Sequence, residues 1–286
     1  MAPTFGRSIS FPLSPARSSR AAAARHVRSV SLPSCRSHPL LAHLHNTTRA
    51  VRDWAAAEPA SVAAGLAHID ALHAALAELL LLPEARAALR AGAAADCLLD
   101  GFLVLADAHG AFQEALLDLR RHAAEAHAAL RRRDQTRLAS AVRAQRHAEK
   151  DLARLASSVR AAAKLPHLAT GSTANAAVVE VSAVLAEAVA AVATASAAVF
   201  SAVEALSSAA TAAAASSSKK PATLISLVKK SKANASSDEE KEMAALDKLE
   251  ELEECIAEME AGSDKVFRSI LHTRVALLNI HTQTCC

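Results

Sequence analysis

Residues 96–166 read DCLLDGFLVLADAHGAFQEALLDLRRHAAEAHAALRRRDQTRLASAVRAQRHAEKDLARLASSVRAAAKLP, and this stretch decides the fold. Leu98, Leu99, Phe102, Leu105, Phe112, Leu116, Leu119 and Leu130 recur three and four residues apart, the period of a helix that buries one face. Asp96 can start that helix, and the basic run Arg131–Arg133 suits its C-terminal end, where the helix dipole favours cations. Asp134 then caps a partner carrying Leu138, Val142, Leu152, Leu155 and Val159, which stops before Pro166. The two segments form a long antiparallel helical hairpin.

Upstream of the hairpin, Leu40, Leu41, Leu44, Val51 and Trp54 put an apolar stripe on a short helix that begins near His38 and ends at Pro59. Ser61 caps a second helix through Leu82, with Leu66, Ile69, Leu72, Leu76, Leu79 and Leu80 on its core face. Pro83 opens a short helix over Glu84–Arg90, because a proline is tolerated in a first turn.

Downstream, residues 167–173 read as a linker to an Ala-rich helix over 174–215. Its seam runs Val178, Val181, Leu185, Ala188, Val192, Ala195, Val199, Ala202 and Leu206, alternating three and four apart as coiled-coil positions do. The longest charge-free run there, between Glu187 and Glu204, is sixteen residues, short of the roughly 20 that span a bilayer. A buried bundle helix is therefore expected in preference to a membrane span. A Ser/Lys-rich linker follows at 216–237, then a C-terminal helix over 238–282 with Leu246, Leu249, Ile256, Met259, Val266, Phe267, Ile270, Leu277 and Leu278 on its apolar face. Gly262 is expected to break or kink it.

Composition agrees with helices throughout. Of 286 residues 52% are hydrophobic and 21% charged, yet there are only six Phe, one Trp and no Tyr, so the apolar content is Ala, Leu and Val. Seven Gly and nine Pro are too few to close the turns of a β-sandwich or barrel. The expected class is all-α: an elongated bundle of long antiparallel helices over 38–282 (N-terminal helices and hairpin 38–165), with a short tail at 283–286. Its C-terminal helix is expected to lie on the 96–163 hairpin, with Leu277 and Leu278 buried.

The formal net charge of +3 hides an asymmetry. Residues 1–52 carry eight Arg and no Asp, Glu or Lys, so the rest of the chain is mildly acidic. Residues 1–37 are interrupted by Pro3, Pro12, Pro15 and Pro33 without apolar period, and are expected to be disordered. Their arginines lack aromatic platforms or a recognition-helix pattern, which argues against nucleic-acid binding. The same composition resembles an organelle transit peptide, so the expected cytoplasmic location has a plastid alternative. Five cysteines and no apolar signal core indicate reduced thiols inside the cell.

No catalytic signature is found. A phosphate-binding Gly-rich loop, a Gly-x-Ser-x-Gly elbow and a His-Glu-x-x-His pair are all missing. His68/His73 and His122/His127 are five apart, about 140° round a helix, so neither pair can chelate one ion; they read as scattered surface histidines. Cys97 and Cys255 fall within apolar helical patterns, where cysteine behaves as a small core residue. No enzyme activity, metal or cofactor is expected.

Two local patterns stand out. Arg7-Ser8-Ile9-Ser10-Phe11-Pro12 and Arg28-Ser29-Val30-Ser31-Leu32-Pro33 both read Arg-Ser-x-Ser-x-Pro, which resembles the phosphoserine motif bound by 14-3-3 proteins and makes Ser10 and Ser31 phosphorylation candidates. The terminal pair Cys285-Cys286 resembles a double-lipidation signal, although no GTPase loop accompanies it. Lipid at Cys285 and Cys286 would give a peripheral membrane location.

Several blocks resemble a plant-specific family, the domain of unknown function 241 or BYPASS-like proteins. His26 through Pro33, followed by Ser37-His38-Pro39-Leu40, resembles its opening segment; Leu79 through Pro83 resembles a helix junction; Asp96-Cys97-Leu98-Leu99-Asp100-Gly101, Leu252-Glu253-Glu254-Cys255-Ile256 and Phe267 through Asn279, containing Thr273 through Asn279, resemble later motifs. The blocks fall in order over residues 26–282. Phe102 departs from the small residue usual after the glycine, and the Ala-rich 174–215 region is atypical. The resemblance implies a helical protein linked to shoot and root development and carries over no catalytic residue. The expected function is a non-enzymatic helical interaction or regulatory protein with protein partners, among them a 14-3-3-type reader, and self-association through helices. The alternative is a membrane-associated regulator held by Cys285 and Cys286 or by the Ala-rich helix.

Overall fold

The computed structural model describes residues 39–57, 61–90, 94–163, 176–217 and 232–282. The basic tail, the linker at 167–173 and residues 218–231 of the expected Ser/Lys linker lie outside the described residues. Seven helices and no strand occur among those described: α1 (Pro39–Ala56), α2 (Val62–Leu81), α3 (Pro83–Arg90), α4 (Ala94–Arg131), α5 (Gln135–Ala162), α6 (Ala176–Ser217) and α7 (Lys232–Thr282).

Local chemistry sets the boundaries. Ser61 Oγ accepts from Ala64 N–H at 3.3 Å and caps α2. At the hairpin, Asp134 N–H donates to Ala129 O and Arg133 N–H to Leu130 O, both at 2.9 Å, the paired bonds of a Schellman ending. The Asp134 carboxylate turns forward to accept from Thr136 and Arg137 N–H. One residue thus closes α4 and opens α5. Arg133 takes φ 55 to make this turn, a left-handed conformation that glycine usually supplies.

Cross-helix pairs give the directions. Arg120–Glu260, His127–Glu253 and Arg133–Glu242 make α7 antiparallel to α4 along its length. The tight turn at Arg132–Asp134 folds α5 back antiparallel along α4. Helices α4 to α7 thus pack in sequence, α4 beside both α5 and α7 and α6 beside both α5 and α7, so that the chain runs up, down, up and down. Helix α2 runs parallel to α7 in their shared contact, with His73 beside Thr273 and Asp70 beside Lys265. Helix α1 covers α2 and α6, and Arg52 of α1 pairs with Glu187 of α6.

The apolar stripes read from α2 and α4 are all buried. One expectation fails and two hold in refined form. Gly262 does not interrupt α7, which is continuous; the bare Cα faces α2, where an added Cβ would lie 3.4 Å from Leu66 Cδ1. Helix α6 buries far more than one seam, since Val184, Val189, Ala193, Ser196, Phe200 and Val203 are buried as well. Its Ala and Ser side chains allow helices to close on it from several sides, and it meets α1, α2, α3, α4, α5 and α7. The C-terminal helix packs on the α4 arm of the hairpin and not on α5, with Leu277 buried and Leu278 half-buried at the core edge.

Candidate interaction surface

A ladder of polar contacts fixes the rotation of α7. Lys265 Nζ lies 2.8 Å from Asp70 Oδ2, and Ser269 Oγ donates to Asp70 Oδ1 at 2.8 Å. One turn on, Thr273 Oγ1 donates to Ser269 O at 2.9 Å and meets His73 Nδ1 at 3.0 Å. A hydroxyl has a single proton. Because Thr273 gives its proton to the carbonyl, it accepts from His73, so the imidazole carries its proton on Nδ1. Residues 265, 269 and 273 thereby face α2, and the next stripe round the helix, Phe267, Leu271, Arg274 and Val275, is turned toward α4 and solvent.

Helix α4 is oriented from its buried side. His109 Nε2 sits 2.8 Å from Ser196 Oγ of α6, and the Phe112 and Phe200 rings stack with centroids 4.4 Å apart. Phe102 packs its ring against His73, at 5.8 Å between centroids. Burial pushes both imidazoles down, to about 4 in His73 and about 3 in His109, so both are neutral near pH 7. His73 is therefore a core residue, not the surface histidine expected of it. The Asp70 charge opposes the shift in His73.

These two constraints leave a groove of about 400 Å³ between α4 and α7, lined by Leu103, Ala106, Asp107, Gly110, Phe267 and Leu271 among others. Leu103 is 40% exposed, Val104 38%, Leu271 38% and Val275 52%, so both helices present apolar side chains to solvent beside the groove. Asp107 and Glu114 edge it on the α4 side and Arg274 on the α7 side. The Nε of Arg274 is buried without a hydrogen-bond partner, and neither acid has an ion-pair partner among the described residues. An amphipathic surface with unspent charge on both edges suits a helical partner.

The remaining chemistry is structural. Between α5 and α6, Glu149 Oε1 accepts from Ser207 Oγ at 2.9 Å and Thr211 Oγ1 at 2.5 Å, and Gln145 Nε2 donates to Ser207 Oγ at 3.2 Å, all buried. Cys97 and Cys255 are half-buried free thiols, and burial pushes the Cys255 thiol up. No three His, Cys, Asp or Glu side chains converge on a metal site among the described residues. Two helical stretches, Val62–Leu81 and Val179–Ser217, are long and apolar enough to cross a membrane, and in this fold both pack inside the bundle.

Ser10, Ser31, Cys285 and Cys286 lie outside the described residues. The sequence reading missed the α4/α7 groove, whose signal was Leu103-Val104 and Leu271/Val275 lying off the core stripes. It also missed the buried pairs of His109 and Glu149, whose partners Ser196, Ser207 and Thr211 are not set apart from the other Ser, Thr and Glu residues of α6. Residues 65–280 match a family model described as Protein BPS1. Comparison with curated proteins and with solved structures returns no match.

Proposed function

The chain belongs to the BPS1 family, and from that membership we propose that it is a non-enzymatic helical interaction protein in the regulation of plant shoot and root development. The family match, which spans α2 to α7, carries this reading. The amphipathic α4/α7 face, inside the matched region, supports it by offering a surface suited to another helix. The Arg-Ser-x-Ser-x-Pro segments at Ser10 and Ser31 supply the regulatory input, phosphoserines for a 14-3-3-type reader. The protein acts by holding partners, not by turning over a substrate.

Disruption of the gene in its plant tests the developmental reading. Altered shoot and root growth, restored by the intact chain, is the expected result. Null lines with normal shoots and roots would overturn it.

A further inference from the structure

We propose that the α4/α7 face is where two copies of this chain associate, across a two-fold axis running along the groove. The inference deepens the reading of the chain as an interaction protein by naming one partner. It starts from the antiparallel register of the two helices, in which Gly110 faces Phe267 and His281 Nε2 lies 3.5 Å from Asp96 Oδ1. In that register Arg274 is level with Leu103. Asp100 and Asp107, both exposed, lie about a turn to either side of that level on α4.

A two-fold axis parallel to the helices lays α4 of one copy on α7 of the other, keeps those levels and makes the facing helices antiparallel. Leu103 and Val104 then meet the partner copy's Leu271 and Val275. Arg274 meets the partner copy's Asp100 and Asp107, and each contact occurs twice. The acids stand on the α4 edge and the arginine on the α7 edge, so the face is complementary to itself in charge as well as in apolar character. Arg274 and Asp107, neither in an ion pair among the described residues of one copy, each gain an opposite charge across the axis. Gly110 and Ala111 on the same stripe let the helices approach closely.

Sedimentation equilibrium of the full chain, from about 1 to 100 µM, reads the association, the range in which micromolar contacts titrate. A dimer is expected. Leu271→Glu should make it monomeric, and Arg274→Glu and Asp107→Arg should each weaken it by about tenfold or more. Arg274→Glu combined with Asp107→Arg should recover part of that loss, Asp100 of the partner copy still opposing the new carboxylate, and a damaged fold would recover none. Leu271 and Asp107 are exposed and Arg274 is half-buried at the groove edge, so circular dichroism melts of the Leu271 and Asp107 variants should stay near wild type. A wild-type chain monomeric at the highest concentration overturns the proposal, as does a dimer indifferent to Leu271→Glu and Arg274→Glu. Failure of the double reversal to recover association overturns the two-fold register. A monomeric chain leaves the developmental reading standing, because that reading fails only on normal growth of null plants.

Discussion

His109 Nε2 lies 2.8 Å from Ser196 Oγ in the contact between α4 and α6, and neither side chain is reached by solvent. With His73 held against Thr273, the core contains two imidazoles that burial keeps neutral near pH 7. Their folded pKa values, about 4 and about 3, lie below the ordinary 6.5. The unfolded chain therefore binds protons first as pH falls, and stability is complete above about 6.5 and is lost downward toward the folded values. Between pH 7 and pH 5 the two histidines together should remove about 4 kcal/mol. Urea unfolding at the two pH values measures the loss, and His109→Asn should cut it by about half. An unchanged pH dependence in that variant would show that His109 does not titrate with unfolding.

Trp54 of α1 lies directly over Gly65 of α2. A Cβ at residue 65 would come within 2.2 Å of the ring atom Cη2 and 2.3 Å of Cζ2, so Gly65→Ala has to displace the indole. Alanine favours the helix by about 1 kcal/mol, and losing the α1 contact outweighs this, for a net destabilisation of about 1–3 kcal/mol. Trp54 is the single tryptophan of the chain, so its emission reports this contact alone. A red shift together with a lower melting temperature is expected.

What the sequence made legible follows from side-chain size and period. The stripes Leu66, Ile69, Leu72, Leu76, Leu79 and Leu80 in α2 and Leu98, Phe102, Leu105, Phe112, Leu116, Leu119 and Leu130 in α4 repeat at helical spacing with large residues, and each is buried. Ser61 and Asp134 were readable because a cap is a local event between neighbours. Helix α6 was read too narrowly: where nearly every residue is Ala, Val or Ser, hydrophobicity has no polar face against which to stand out. His73 was misread because its partner Thr273 is two hundred residues away. Gly262 carries the signal of a helix breaker, but tertiary packing on Leu66 outweighs a propensity cost of about 1 kcal/mol. The groove left only a faint mark, Leu103-Val104 and Leu271/Val275 standing off the core stripes, because single exposed apolar residues are common on any surface.

Glu149 has two hydroxyl donors on α6 and is 8% exposed. Removing its carboxylate with Glu149→Ala strands Ser207 and Thr211 without an acceptor and opens a gap between α5 and α6, for a loss of about 2–4 kcal/mol. Glu149→Gln keeps an acceptor oxygen in place and should cost about 1 kcal/mol. Chemical denaturation of the two variants side by side separates the hydrogen bonds from mere occupancy. Equal losses would show that the charge, and not the acceptor, matters.

Arg133 holds its left-handed backbone for the sake of the α4–α5 turn. A non-glycine residue there costs about 1 kcal/mol, and its pairing with Glu242, at 3.8 Å and with 74% of the arginine side chain exposed, returns little. Arg133→Gly should therefore stabilise the chain by about 0.5–1 kcal/mol, visible as a higher melting temperature. Arg133→Val, which tolerates positive φ still less, should lower it. A destabilised Arg133→Gly would mean that the arginine side chain contributes more than its backbone costs.

Twenty-one residues separate Ser10 from Ser31, a contour of roughly 70 Å when extended, so one tail can reach both grooves of a dimeric phosphoserine reader. Each Arg-Ser-x-Ser-x-Pro copy offers a basic residue three before the serine and a phosphate that an arginine cluster can grip. A single phosphate should bind modestly. Two convert the second contact into an intramolecular one, for which avidity gains of about 10²–10⁴ are typical. Peptides spanning residues 1–37, unmodified, singly and doubly phosphorylated, titrated against a purified 14-3-3 dimer, should rank in that order, with the doubly modified form tightest by at least about a hundredfold. Equal affinity for the single and double forms would remove bivalency. Binding by the unmodified peptide at the same strength would remove the phosphoserines as the recognised groups, since the arginines alone would then account for it.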